Sequence, residues 1–209
     1  MSVISHPLQN RVTPWGEIVA DPARGMFLGN RGCLCDTAGV LAGRRWRLKA
    51  WITCSLAYKD WWRPVMQPRV WTELFFLDEA TALAAGHRPC ALCRRADYER
   101  FVAAWQHGNG WATRPKAVVM DDTLHRDRLR SDRSKHTYRV SAASLATGTM
   151  VAFKNQSWLV LDGGMRRWSH SGYGALRPLP RGEVDVLTPR HTVGVLAGGY
   201  RPVLHPSAG

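Results

Sequence analysis

The sequence has no apolar run near the roughly 18 residues that a membrane-spanning helix requires. Its first residues, Met1-Ser2-Val3-Ile4-Ser5-His6-Pro7, lack the basic start and apolar stretch of a signal peptide. The expected location is therefore the cytoplasm, with no membrane partner. There is no internal repeat and no low-complexity tract. No Walker loop, dinucleotide fingerprint or Gly-x-Ser-x-Gly elbow is present, so no small-molecule cofactor is evident. Acidic residues are scarce: 16 Asp and Glu stand against 29 Lys and Arg, a formal net charge of +13 in 209 residues. Such an excess draws a protein towards polyanions, and DNA is the expected partner.

What is there suits one compact domain or two small ones. The apolar fraction of 45% is enough for a real core. The ten tryptophans can fill that core or stack on bases. The charge is uneven: residues 1–110 carry a net +5 and residues 111–209 a net +8. The breaker-rich His107-Gly108-Asn109-Gly110 marks a plausible boundary between the two parts.

In the first part, residues 70–77 read as a strand or strand end. Asp78 fits a helix N-cap, followed by the helix formers of 80–85 and Gly86 at the C′ position. A second helix is expected over 96–106, where Tyr98, Phe101, Val102 and Trp105 recur at helical spacing. The second part reads as β-rich, with strands over 116–120, 137–140, 149–153, 157–161 and 184–187. Residues 122–130 suggest a short helix, and Thr188-Pro189 opens another. The tail, 198–206, reads as an extended end packed by Tyr200 and Leu204.

All five cysteines lie in the first part. Cys90-Ala91-Leu92-Cys93 is a C-x-x-C pair, a spacing that lets two thiolates bind one ion on a knuckle-like turn. The following helix N-terminus, with Arg88, Arg94 and Arg95, favours thiolates. A redox dithiol is the alternative, but the βαβ context of thioredoxin-like enzymes is missing. Two further ligands would come from Cys33, Cys35 and Cys54, with His87 an outsider, and spacing alone does not rank them.

Three other constellations stand out. The basic segment Arg44-Arg45-Trp46-Arg47-Leu48-Lys49-Ala50-Trp51, extended by Lys59, Trp61, Trp62 and Arg63, suits phosphates and stacked bases. With Arg94 and Arg95 it forms the candidate nucleic-acid surface. Asp122 and His125, at i and i+3, would share a helix face as an acid/base pair or a second metal site. Lys135 and His170 complete the catalytic candidates. Trp168-Ser169-His170-Ser171-Gly172-Tyr173 reads as a loop, and His170 and Tyr173 are placed to line a base-sized pocket.

The run from Phe75 to Arg94, ending Gly86-His87-Arg88-Pro89-Cys90-Ala91-Leu92-Cys93, resembles the second half of the metal-binding domain of the Ada DNA-repair proteins. Upstream, Phe27-Leu28-Gly29-Asn30 looks like the opening of such zinc modules. The resemblance covers roughly residues 25–95. It implies a zinc ion on Cys35, Cys54, Cys90 and Cys93, with Cys33 spare. Together with the strand pattern of the second part, the reading is an α+β fold, with an Ada-like zinc domain over 1–112 and a β-rich basic domain over 113–209. In that family a zinc-bound thiolate accepts a methyl group from a DNA phosphotriester. This chain has neither the family's Pro-Cys-His-Arg methyltransferase motif nor a helix-turn-helix pattern, so the expectation is structural zinc in a DNA-contacting protein, in repair or the handling of modified DNA. The rivals are a nuclease or base-processing enzyme built on Asp122 and His125, and a zinc-stabilised protein-interaction module.

Overall fold

A computed structural model describes residues 7–60 and 65–209. Trp61, Trp62 and Arg63 lie outside the described residues. The first part of the chain forms strands β1 (Gln9–Val12), β2 (Ile18–Ala20), β3 (Phe27–Asn30), β4 (Ile52–Ser55), β5 (Leu74–Phe76) and β6 (Arg88–Pro89). They join one mixed sheet in the order β2-β1-β5-β3-β4-β6. The second sheet contains β7 (Tyr138–Ser141), β8 (Met150–Phe153), β9 (Gln156–Leu161), β10 (Gly164–Ser169), β11 (Gly172–Arg177) and β12 (Glu183–Val186). Its order is β11-β10-β9-β8-β12-β7, and every pairing in it is antiparallel.

Four α-helices stand among the described residues: α1 (Glu79–Ala84), α2 (Arg95–Gly108), α3 (Ala117–Arg128) and α4 (Arg190–Ala197). The fold is thus mixed α+β. None of these helices is long and apolar enough to cross a membrane.

Helix α1 is the pivot. Asp78 caps it as expected, its carboxylate accepting from the Thr81 amide at 2.9 Å. All six helical residues are buried, and the small side chains allow close approach on every side. Ala82 and Ala85 pack with Leu74 and Phe76 of the first sheet. Ala80 and Ala84 pack with Met150 and Leu159 of the second. Leu83 joins the helical core, where Tyr98, Phe101, Val102 and Trp105 of α2 meet Val195 and Leu196 of α4. The two parts of the chain therefore share cores, and residues 107–112 mark a change of architecture rather than a break in packing.

The second sheet shows the period-2 alternation of a sheet covered on both faces. On β8 and β9, Met150 and Leu159 face α1, while Val151, Trp158 and Val160 pack on the other side with Val184 and Val186. The strand expected over 116–120 is instead the first turn of α3. Val118 and Val119 suggested a strand, yet both are exposed, and it is Met120 and Leu124, four apart, that are fully buried. Helical burial overrides the local β preference here. The loop expected over 168–173 is the tight turn of a hairpin between β10 and β11, with Gly172 at φ +136°. Tyr200 is buried and Leu204 packs partly under the second sheet, so the tail is an ordered extended end.

Candidate metal centre and basic cleft

Strands β4 and β6 pair in parallel, with Thr53 opposite Pro89. The next backbone bond, Cys90 N–H to Thr53 O at 2.9 Å, brings Cys90 beside Cys54. Cys93 follows in the turn before α2, and the Ser55 hydroxyl donates to its carbonyl at 3.4 Å. The Sγ atoms of Cys54, Cys90 and Cys93 lie within 4.8 Å of one another. Two thiolates on one tetrahedral ion at about 2.3 Å stand about 3.8 Å apart, so a small contraction of this triad fits a metal ion.

The thiols already act as a unit. Beside Cys54, and with the backbone amides of Cys93 and Leu92, the Cys90 thiol is pulled below its usual pKa against the cost of burial. Its neighbour Cys54 is pushed up by Cys90 and by desolvation. The thiolate charge thus rests on a neighbouring thiol and on amides, not on the flanking arginines. Arg88 grips Asp121 with two 2.8 Å bonds, and Arg94 is committed to Glu79 and Asp97.

Cys35 does not join this group. The sheet explains why: β3 and β4 are antiparallel with Leu28 opposite Cys54, so the chain beyond Asn30 runs away from that end of β4. The Cys35 Sγ lies 3.4 Å from Thr72 Oγ1 and 3.8 Å from Met66 Sδ. Among the described residues the triad gains no fourth Cys, His, Asp or Glu, and the four-cysteine expectation is corrected to three. His87 is fully buried, its Nε2 accepting from Arg31 Nε at 3.3 Å, and it is no ligand either.

Cys33 and Cys35 border a cleft of about 1460 Å³. Its exposed rim carries Arg44, Arg45, Arg47 and Arg133, and its recess carries Arg31, Arg128 and Lys135. Among the described residues Glu17 is the sole acidic side chain on its lining. Trp15 and Trp46 stand on its walls. Arg31 and Arg128 are each 1% exposed and both lie over the Trp51 ring, at 3.9 and 3.8 Å. Trp51 is therefore enclosed by guanidiniums and is not free to stack a base. Arg31 reaches Gly16 O, and Arg128 reaches Gly86 O and Lys49 O. Arg31 Nη2 and Arg128 Nε have no acceptor. Burial, and then each cation on the others, lowers proton affinity throughout the recess: Lys135 falls to about 7, and His87 lies well below its usual range.

Of the expected nucleic-acid contacts, Arg44, Arg45, Trp46 and Arg47 line this cleft. Exposed Lys49 pairs with Asp122 at 2.7 Å, and exposed Arg95 pairs with Glu99. Arg94 is buried in its ion pairs and is withdrawn from the candidate surface. Arg63 lies outside the described residues.

The catalytic candidates separate. Asp122 turns to Lys49, leaving His125 edge-on to Trp46 at 4.6 Å with Nδ1 2.9 Å from Arg128 Nη2. Burial, followed by Arg128, lowers the His125 pKa. Lys135 is in the recess, while His170 sits in the β10–β11 turn against Trp168, 3.9 Å from Asp21. Among the described residues Asp122 and His125 are not hydrogen-bonded to each other, though each feels the other's charge, and His170 shares no hydrogen-bond or ion-pair partner with the other three. Tyr173 is buried and donates to Asp78 at 2.8 Å. A different pair, Asp127 with His191 at 2.8 Å, ties α3 to the first turn of α4 and stacks on Trp105. Spacing of 64 residues gave no signal of it. Arg31 and Arg128 were likewise unmarked, since the recess draws on three distant segments.

No family model, curated protein or solved structure matches this chain.

Proposed function

We propose that this protein is a zinc-braced, DNA-contacting protein, with nucleic acid entering the basic cleft. The observation that carries the reading is the cleft itself: seven cations against one carboxylate, with Trp15 and Trp46 on the walls. Phosphates seek such a surface, and aromatic walls suit unstacked bases. Three soft thiolates at the edge of the same sheet favour zinc, which would clamp β4 to the β6–α2 turn. Residues Cys54, Cys90 and Cys93 would hold the ion, and its role there is to brace the turn. The likeness to Ada-like zinc modules agrees with this reading and suggests work in repair or on modified DNA.

The test is binding of single-stranded and duplex DNA by fluorescence anisotropy across a salt series, with metal analysis of the same sample. Affinity that falls steeply with salt is expected. Replacing Arg44, Arg45 and Arg47 together by Ala should weaken binding and flatten the salt slope. Absence of salt-sensitive binding would favour a zinc-stabilised protein-interaction module instead.

A further inference from the structure

Resting on the nucleic-acid reading, we infer that the recess of Arg31, Arg128 and Lys135 seats a terminal phosphomonoester of a nucleic-acid strand. Two guanidiniums converge there with the Lys135 amine, which is fully protonated only below about pH 7, and no carboxylate is hydrogen-bonded to any of the three in the described structure. Buried cations are ordinarily paired. The protein shows that habit elsewhere: Arg88 has Asp121, and Arg94 has Glu79. In the recess the partners are instead carbonyls, a neutral histidine and the Trp51 ring. These hold the guanidiniums in place without cancelling their charge. Arg31 Nη2 and Arg128 Nε remain without acceptors. Arg128 feels Asp121 and Asp127 through space but bonds to neither, and both unpaired nitrogens are buried behind the cleft lining; donors left in surplus beside a cleft are complementary to an anion.

Depth and charge select which anion. The two guanidiniums are 1% exposed, so the ligand must reach inward past the exposed rim. A phosphate within a strand is tethered on both sides and would have to bring two ester links into the recess. A phosphate at an end enters with one. A phosphomonoester also carries about −1.5 to −2 charges near neutrality, nearer to two guanidiniums and a partly protonated lysine than the single charge of a diester. Trp15 and Trp46 then flank the first nucleotide, and the rim arginines follow the backbone.

The experiment compares a labelled single-stranded oligonucleotide with a phosphate at either end against the same strand with hydroxyls at both. The full-length protein is used near physiological salt, with a mononucleotide and inorganic phosphate as competitors. A preference of roughly tenfold or more for one phosphorylated end is expected, the scale of a charge-assisted bidentate contact. Lys135→Gln, at the more accessible member, should erase that preference, weakening the phosphorylated strand by roughly tenfold more than the hydroxyl-ended one. Replacing Arg44 and Arg45 by Ala should weaken all strands alike. Equal binding of phosphorylated and hydroxyl-ended strands overturns the end-recognition site and leaves nucleic-acid binding standing. Competition by the mononucleotide as effective as by the phosphorylated strand also overturns it, in favour of a small phosphate ligand. No binding of any strand overturns the nucleic-acid reading itself.

Discussion

Arg94 Nη2 lies 2.8 Å from Glu79 Oε1, with both side chains almost wholly buried. The arginine sits directly after Cys93 and the glutamate opens α1, so the pair ties the Cys90–Cys93 turn to the central helix. Glu79 also accepts from Tyr200 Oη at 2.6 Å and from the Val203 amide at 2.9 Å, which fastens the tail to the same point. Removing one partner of such a pair leaves the other charged and unmatched. Arg94→Met should cost about 3–5 kcal/mol in urea unfolding. Binding of DNA by the protein that remains folded should be unchanged, because Arg94 is not on the cleft. Weakened binding with unaltered stability would return Arg94 to the interface.

The thiol triad makes a different set of outcomes. On the proposed zinc reading, Cys54→Ser, Cys90→Ser and Cys93→Ser should each lose one metal equivalent and lower the melting temperature. Cys33→Ser and Cys35→Ser should keep one equivalent, since their sulfurs lie on the cleft side, with Cys35 near Thr72 and Met66. Metal content by elemental analysis decides it. Loss of the equivalent in Cys35→Ser alone would restore the four-cysteine site.

Local signals in the sequence carried far where the structure is local. Asp78 is a cap because its carboxylate reaches three residues on, and the Tyr98–Trp105 stripe is buried because α2 presents one face. Cys90 and Cys93 were legible from their spacing. Cys54 was not, because its place follows from the parallel register of β4 on β6. Spacing was silent in the same way on the recess, where Arg31 directly follows β3, Arg128 closes α3 and Lys135 follows a further turn. The misread start of α3 has another cause: two exposed valines gave a strand pattern that Met120, Leu124 and the Asp121–Arg88 pair outweigh.

Helices α2 and α4 meet at glycines. A Cβ on Gly108 would stand 1.8 Å from the Gly194 carbonyl oxygen, and one on Gly198 would stand 2.4 Å from that of Ala104. Both neighbours are backbone and cannot swing away. Gly108→Ala should therefore force the helices apart and cost at least about 1–3 kcal/mol, the range for an overpacked core. Gly43→Ala, where an added Cβ meets nothing within 4 Å, is the control and should be neutral or slightly stabilising. Equal melting temperatures for the two variants would mean that the close crossing does not limit stability.

Lys135 gives the fold a pH dependence whose sign follows from its surroundings. Burial, then Arg31 and Arg128, hold its pKa at about 7 against an ordinary 10.5. The arginines keep their protons, so the repulsion falls on the lysine. Between about pH 7 and pH 10.5 the unfolded chain holds the Lys135 proton and the folded chain does not. Unfolding then takes up a proton, and stability rises with pH across that window. Below it both states are protonated, and the full penalty of a charged lysine beside two guanidiniums is present. Lys135→Gln removes the charge but keeps an amide able to donate to the Ala84 carbonyl, which Lys135 reaches in the native protein. The variant should be more stable than the parent at pH 6, and that advantage should shrink steadily towards pH 10. Urea unfolding of both proteins across the range measures the difference, in which the thiols and tyrosines common to both cancel. Parallel stability curves would mean that Lys135 keeps an ordinary affinity for its proton and that the recess is less charged than its geometry implies.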